Sequence, residues 1–204
     1  MDGVFMKKFI KILSCLVLLA STIWMADVWQ DKKALQENLI RLHVVANSDT
    51  KEDQEIKVQV KDAVVAYLQP LVDGFADKKQ AMEFVADNLS SIQRVANDTL
   101  VELGKRDRAI AYLGQETFDT RRYETFSLPA GVYDSLKIQI GEGKGKNWWC
   151  VVFPSLCLPA TSEGFEDTAV SSGFSKALGN SLANGKNFRF YLLDCFGKIE
   201  KLFH

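Results

Sequence analysis

The N-terminal segment combines a cluster of positive charge with a long apolar run. Three lysines precede the run, which extends from Ile12 to Ala26 and is followed by two aspartates: Lys7, Lys8, Lys11, Asp27 and Asp31. A basic flank before an apolar stretch marks an export signal or a membrane anchor whose C-terminal side lies outside the cytoplasm. Counted from Phe9 to Trp29, the run reaches the roughly 20 residues that a membrane-spanning helix needs. We therefore expect residues 1–29 to be a signal peptide or an anchor, and whether it is cleaved stays open.

The composition suits one globular domain with an additional segment. The chain has 204 residues, of which 47% are hydrophobic, and a formal net charge of −1. This apolar content is sufficient for a sizeable core. The nearly neutral charge gives no support for nucleic-acid binding.

The hydrophobic pattern after residue 30 predicts one strand, two long helices and then several strands. Alternation over 40–46 indicates the strand, and apolar residues at helical spacing predict helices over about 50–71 and 78–103. The period then changes to two, which predicts strands at 109–113, 123–128, 135–140 and 148–153. This order is typical of an α+β domain with a mainly antiparallel sheet, which we place at residues 30–158.

Residues 159–204 form a C-terminal extension with a weaker pattern. Ser, Gly and Asn are frequent up to residue 184, and one short helix is predicted over 168–178. Alternating apolar residues over 188–192 predict a strand, and Phe196 to Lys198 predicts a turn before a last strand over 199–203. We expect this extension to pack on the same domain.

Export changes the interpretation of the cysteines, because thiols outside the cytoplasm can oxidise and persist as disulfides. Cys15 lies within the apolar run. Cys150 and Cys157 could close a loop of about eight residues. Cys195 is then the odd cysteine, either free or competing for a partner.

The chain offers few residues for catalysis or metal binding. His43 and the terminal His204 are its two histidines, so a histidine-rich zinc site is excluded, and we expect no metal or cofactor. The glycine-rich stretch before Trp148 is not a phosphate-binding loop, because Asn147 stands where that loop requires Ser or Thr. One catalytic alternative stays open, an exported cell-envelope hydrolase that uses Cys150 as nucleophile or His43 as base.

The stretch from Gly141 to Cys157 is the most unusual part of the chain. Its glycines and lysines predict a flexible hairpin loop between two strands, and the second strand begins with Trp148 and Trp149. Adjacent strand residues face opposite sides of a sheet, so one tryptophan can be in the core while the other is exposed. Exposed tryptophans are enriched at the centres of binding surfaces.

Two stretches of the chain resemble the signatures of the stage II sporulation protein R family. The first is IRLHVVANSDTKEDQ at 40–54, which is followed by Lys57 and by VKDAV at 60–64. The second is GEGKGKNWWCVVFPSLC at 141–157, in which Ser155 stands where the family has proline. Both occur in the family's order behind an N-terminal signal, and the resemblance covers residues 35–158.

The resemblance implies a signalling protein and not an enzyme. In endospore-forming bacteria, members of this family are made in the forespore and exported towards the mother cell. They are needed to activate the membrane-embedded aspartic protease of stage II sporulation (the GA protein), which cleaves the precursor of sigma-E. The resemblance therefore places the chain in the space between the forespore and mother-cell membranes. There the chain would contact a membrane through its N-terminal segment and would have no nucleic-acid partner.

The resemblance also implies a binding surface for that protease. The second stretch would be a pinned hairpin, closed by the Cys150–Cys157 disulfide, with its loop and tryptophans towards the partner: Lys144, Lys146, Asn147, Trp148 and Trp149. A further contact region could come from the first stretch: Arg41, His43, Asn47 and Asp49.

Overall fold

The structure is a computed structural model that describes residues 2–72, 74–75, 77–123, 126–154, 174–185 and 187–203. Its helices are α1 (Asp2–Asn38), α2 (Lys51–Val72), α3 (Lys78–Asp87), α4 (Leu89–Glu102), α5 (Lys176–Asn184) and α6 (Phe188–Lys201). Its strands are β1 (Ile40–Val45), β2 (Ala109–Phe118), β3 (Arg121–Arg122), β4 (Ser127–Leu128), β5 (Gly131–Ile140) and β6 (Asn147–Phe153). The predicted α+β class is confirmed.

Four strands form one sheet in the order β2-β5-β1-β6, and β3 pairs with β4 separately. The central strand β1 is parallel to β5 and antiparallel to β6, and β2 is antiparallel to β5. Every residue of β1 is buried, because helices cover both faces of the sheet. A strand covered on both sides reads as a continuous apolar run, which the sequence IRLHVV interrupts only at Arg41 and His43.

The sheet separates two apolar clusters. Leu42 and Val44 point towards α2 and α4 and belong to a cluster with Val60, Val64 and Ile92. The opposite face is covered by the C-terminal half of α1 together with α5 and α6. Its buried residues come from distant parts of the chain: Val28, Leu35, Phe118, Val151, Leu178, Leu182, Phe190 and Leu193. The parts of the extension that the structure describes therefore pack on the domain.

Helix α1 runs without a break from the apolar segment into the domain. From Phe5 to Ile23 the helix is exposed on all sides, whereas Val28, Asp31 and Leu35 are buried. Over Phe5–Asn38 this helix is long and apolar enough to cross a membrane, with a mean hydropathy of 2.0 in its most apolar window, none of which is buried. An export signal or membrane anchor is consistent with these properties.

Several predicted elements differ from the structure in their boundaries or in their neighbours: the strands predicted at 109–113, 123–128 and 135–140 are Ala109–Phe118, Ser127–Leu128 and Gly131–Ile140. The helix expected over 78–103 is divided at Asn88, which ends α3 and begins α4. The strands expected at 135–140 and 148–153 exist as β5 and β6 but do not form a hairpin, because β1 lies between them. Strand β1, which is buried and lies far away in sequence, is the strand between them. A pattern of neighbouring residues cannot indicate such a pairing.

The strands predicted over 188–192 and 199–203 are wrong, because this region is the single helix α6. The side chain of Asn187 caps its first turn by accepting a hydrogen bond from the backbone N–H of Phe190. The helix is apolar on two sides, and apolar residues on two sides produce short alternations that resemble a strand. Gly197, interpreted as part of a turn, lies inside the helix. Most of the helix predicted over 168–178 lies outside the described residues.

Candidate functional site

The loop of residues 141–146, here called the crossover loop, passes over the end of β1 on its way from β5 to β6. The backbone N–H of Gly145 donates to the carbonyl of Ala46 (2.9 Å), and that of Lys144 donates to the carbonyl of Asn47 (3.1 Å). The ammonium of Lys57 on α2 donates to the carbonyl of Lys146 (3.1 Å). The crossover loop is therefore fixed to the middle of the first signature stretch, and Lys57 adds a further contact from α2.

The crossover loop requires glycine, as Gly141 and Gly145 show. Gly141 has a φ of +54°, in the left-handed region that favours glycine. A Cβ on Gly145 would lie 2.2 Å from the carbonyl oxygen of Ser48, which is far too close for any side chain. The loop glycines thus permit close packing on 46–48, and the predicted flexible loop is a fixed one.

Asn47 and Asp49 hold the crossover loop with their side chains. The Asn47 side-chain oxygen accepts from the N–H of Glu142 (3.0 Å), and a carboxylate oxygen of Asp49 accepts from the N–H of Lys146 (2.7 Å). The N-terminus of α2 is capped by Thr50, whose hydroxyl accepts a hydrogen bond from the N–H of Asp53 (3.2 Å). Asn47 and Asp49 therefore act first as positioning residues for the second signature stretch.

Four of the predicted partner-binding residues lie on the surface beside this junction: Lys144, Lys146, Asn147 and Trp148. Trp148 is 39% exposed, and the ammonium of Lys61 on α2 lies 4.9 Å from its ring centroid. Lys144 makes an ion pair with Glu142 (2.7 Å), but both are exposed and such a pair contributes little. These four residues and Lys61 are called the Trp148 surface below. It presents the aromatic ring and the ammonium groups of Lys144 and Lys146 on a fixed backbone, whereas the side chain of Lys61 is 12% exposed and its ammonium pairs with Asp62.

Trp149 faces the other side of the sheet, as the alternation predicts. Its ring stacks on His43 at a centroid distance of 3.7 Å and meets Phe118 at 4.8 Å. Trp149 is half-buried and His43 is buried. With Gln115, Glu116, Thr117 and Val132 these two residues line a cleft of about 330 Å³.

Glu116 on β2 is the charged partner of His43. Its carboxylate lies 3.0 Å from Nδ1 of His43 and 3.1 Å from the ammonium of Lys137. Burial raises the pKa of Glu116, but the hydrogen bond and charge of His43, with further hydrogen bonds, outweigh it and lower the pKa from 4.5 to about 2. Glu116 is therefore ionised at neutral pH and orients the imidazole.

Arg41 lies in the interior, with no exposed surface. Its guanidinium stacks over Phe118 at 3.9 Å and donates one hydrogen bond to the hydroxyl of Tyr123 (3.1 Å), while its Nε and Nη1 have no hydrogen-bond partner. Arg41 and His43 are thus placed beneath the surface, and a direct contact with a partner would require them to become exposed.

The geometry separates the two residues of the hydrolase alternative. Cys150 is opposite Leu42 in the β1–β6 pairing and belongs to the cluster beneath α2, whereas His43 is on the other face with Trp149. A base cannot accept a proton from a thiol across the sheet, because proton transfer needs hydrogen-bond contact. Among the described residues, no group of three or more His, Cys, Asp or Glu side chains could hold a metal ion.

Cys150 is buried and is not a free cysteine, and its predicted partner Cys157 lies outside the described residues. The Cys150–Cys157 pairing stays a prediction. Cys15 and Cys195 are free and exposed.

Sequence reasoning missed two residues of this region. Glu116 carries no local signal, because its approach to His43 depends on β2 and β1 flanking β5. Lys61 lies in the part of the first stretch that resembles the family, and its position four residues after Lys57 on one helix face was the available indication.

The fold and site define an α+β domain behind an apolar N-terminal helix, in which two signature stretches meet at one exposed surface. The family described as stage II sporulation protein R matches residues 36–163, and the chain belongs to this family. The stage II sporulation protein R of Bacillus subtilis (strain 168) is 32% identical over 130 residues, which cover 64% of this chain and 58% of that protein. The chain thus spans less than two thirds of this relative. No solved structure matches the chain.

Replacing Glu116 with glutamine is expected to lower the free energy of unfolding at pH 7 by about 1–2 kcal/mol, a figure reduced for the partial exposure of this carboxylate. Because the pKa of Glu116 is lower in the folded state, its stabilising effect is complete above the ordinary value of 4.5 and is lost as the pH falls towards about 2. Chemical unfolding of both proteins across this range checks the sign. The difference should shrink with falling pH, and a constant difference would contradict the assignment.

Proposed function

We propose that this chain is an extracytoplasmic sporulation signalling protein, exported from the forespore towards the mother cell. It activates the membrane-bound aspartic protease that processes the precursor of sigma-E, and it acts by binding and not by catalysis. Activation requires that the chain binds the active state of the protease more tightly than the inactive state. Membership of the sporulation family supports this proposal.

The observation that carries the proposal is the convergence of both signature stretches on the Trp148 surface. Asn47, Asp49 and Lys57 of the first stretch bind the crossover loop of the second. What they hold in place is a partly exposed tryptophan with lysines around it. A fixed backbone lowers the entropy lost on association, and a tryptophan at the centre of such a surface is a typical source of binding energy.

The proposed contacts are therefore divided into two groups. Lys144, Lys146, Asn147 and Trp148 touch the protease. The other residues predicted to contact the protease, among them Arg41, His43 and Trp149, are buried or partly buried. They support this surface from within the sheet. The proposed Cys150–Cys157 disulfide would fix the C-terminal end of β6.

The position of α1 suits this function. The helix continues from its apolar run into the core of the domain, where Val28 and Leu35 are buried. If the run remains in a membrane, the domain is held at that membrane by a helix and not by a flexible linker. The protease is itself embedded in a membrane, so anchoring would keep the domain in the narrow space that the protease faces and would raise the effective concentration of the two partners.

The proposal is tested by reconstituting the reaction in a non-sporulating host. The chain, the matching protease and the sigma-E precursor are expressed together, and precursor size is followed with and without the chain. Cleavage is expected only when the chain is present and exported. Cleavage without the chain, or no cleavage with a protease shown to be active, would overturn the activator role.

In the same assay, Trp148→Ala is expected to reduce precursor cleavage by about tenfold or more, because a central tryptophan typically contributes 2 kcal/mol or more to binding. Its effect on thermal unfolding should be small, since the ring is 39% exposed. Tyr112→Ala is the matched control, because Tyr112 is similarly exposed on β2, the opposite edge of the sheet. Equal cleavage by the Trp148→Ala variant and the Tyr112→Ala control would remove the Trp148 surface from the proposal.

A further inference from the structure

Helix α6 carries a second apolar side that its own domain leaves uncovered. Four residues at helical spacing and the residue that caps the end of the helix form this side, here called the α6 stripe: Phe188, Tyr191, Cys195, Ile199 and Leu202. Phe188, Tyr191, Ile199 and Leu202 are between 50% and 80% exposed, and Cys195 is exposed as well. We propose that the α6 stripe pairs with the α6 stripe of a second copy of this chain, in parallel and within the membrane-anchored protein.

The stripe cannot be turned into the chain's own core, because the inner side of α6 is already buried there. Phe190 and Leu193 lie in the cluster shared with α1, α5 and the sheet. Gly197 is in contact with the turn before β5, where a Cβ would collide with the carbonyl of Ala130. A helix that is apolar on both sides requires a second packing partner.

The charges on α6 favour a neutral apolar partner. Among the described residues, α6 makes five ion pairs, all within the chain: Arg189 with Asp27 and Asp31, Lys198 with Asp194, Glu200 with Lys32, and Lys201 with Asp119. The charged residue beside the stripe is Lys198, and its ion pair with Asp194 offsets its charge, so repulsion between the stripes of two copies is small. Phe188, Cys195 and Leu202 recur every seven residues, which is the repeat of paired helices, whereas Ile199 stands one residue after the regular position, which Lys198 occupies.

Helix α1 determines the direction of pairing. Trp24 stacks on Phe188 near the start of α6 at a centroid distance of 5.5 Å, and Lys32 forms an ion pair with Glu200 near its end (3.0 Å). The two helices therefore run side by side in the same direction. Two copies anchored in one membrane would present their α6 helices in parallel, so that each stripe residue faces its own counterpart across a two-fold axis.

Cys195 supplies an independent indication. It lies halfway between Phe188 and Leu202, it is exposed, and it is free. An odd cysteine in an exported protein suggests intermolecular pairing. In the parallel arrangement the two Cys195 thiols would meet at the centre of the seam.

One helix pair of this length is smaller than the interfaces that hold dimers together in solution. Confinement of two copies by α1 in the same membrane raises their effective concentration and compensates for the small area. The inference therefore rests on the anchoring that belongs to the proposed function, but it does not depend on the protease.

The test is cross-linking of the full-length chain in host membranes with Cys15→Ser as the background. Copper phenanthroline oxidises two contacting thiols to a disulfide, and it takes one electron and one proton from each. We expect a covalent dimer that disappears with Cys195→Ser. Ile199→Glu should lower its yield by about tenfold or more, because pairing would bury two unpaired carboxylates.

The control carries Val101→Cys with Cys195→Ser, which moves the free thiol to an exposed position on α4. Dimer yield from Val101→Cys equal to that from Cys195, or no loss with Ile199→Glu, would indicate random collision and overturn the proposal. Absence of any Cys195 dimer would also overturn the proposal. If Cys195 is protected from a maleimide in nanodiscs that each hold a single copy of the chain, the stripe is covered by lipid and not by a second copy. Precursor cleavage by the Ile199→Glu variant separates the two proposals, since intact cleavage without dimers leaves the activator role standing.

Discussion

Replacing Gly197 with alanine is expected to lower the free energy of unfolding by about 3 kcal/mol or more, the upper range for overpacking in a core. A Cβ at this position would lie 1.5 Å from the carbonyl oxygen of Ala130 and 2.3 Å from its carbon. Both atoms belong to the backbone, so the clash cannot be relieved by rotating a side chain. Helix α6 would have to move away from the sheet. Thermal unfolding of the full-length chain in detergent measures the loss.

Gly114→Ala is the matched control for this substitution. A Cβ on Gly114 meets nothing within 4 Å, and the residue lies in the exposed part of β2. The alanine should leave the stability nearly unchanged or raise it slightly, since it restricts the unfolded chain. Similar unfolding temperatures for the Gly197→Ala and Gly114→Ala variants would mean that α6 does not pack on the Ala130 turn as described.

Replacing Arg189 with methionine is expected to have the second largest effect, a loss of about 3 kcal/mol in the free energy of unfolding. Arg189 on α6 pairs with Asp27 (2.9 Å) and with Asp31 on α1. Asp31 is 5% exposed and also accepts a hydrogen bond from the Ser175 hydroxyl (3.2 Å). Without Arg189 its charge would remain buried and without a cationic partner, and this accounts for most of the expected cost.

The double variant Asp31→Asn with Arg189→Met tests that reason. Removing the charge of Asp31 should recover part of the stability lost in the single variant, because an amide is less costly to bury than an unpaired carboxylate. Lys51→Ala serves as a control, since its ion pair with Glu55 is almost fully exposed and should contribute little. A double variant less stable than Arg189→Met alone would contradict the assignment.

Both substitutions concern contacts of a helix that lies beyond the region matched by the family, which ends at residue 163. Helix α6 nevertheless covers one face of the sheet and binds the C-terminal half of α1 through Arg189 and Glu200. The family region and the helix after it therefore share one core. Truncation after the family region would expose Phe118, Leu35 and Val151 to solvent.

Much of this architecture could be predicted from the sequence, because it depends on neighbouring residues. The lysine cluster and the apolar run predict a signal or membrane anchor, with which the exposed apolar part of α1 is consistent. The change of period after Gly104 indicates the passage from helices to strands. The alternation of Trp148 and Trp149 correctly places their rings on opposite faces of the sheet. The two signature stretches identify the family, since residue identities in a fixed order are visible without any structure.

The tertiary structure alone decided how these parts meet. Strand β1 lies between β5 and β6, which replaces the predicted hairpin by a loop held by Asn47 and Asp49. The same pairing places Glu116 against His43 and separates His43 from Cys150. The sequence of α6 resembles that of strands because its inner side packs on the domain while its outer side is also apolar. Each of these outcomes depends on contacts between residues far apart in the chain, and their free energy exceeds the local preferences that a sequence pattern records.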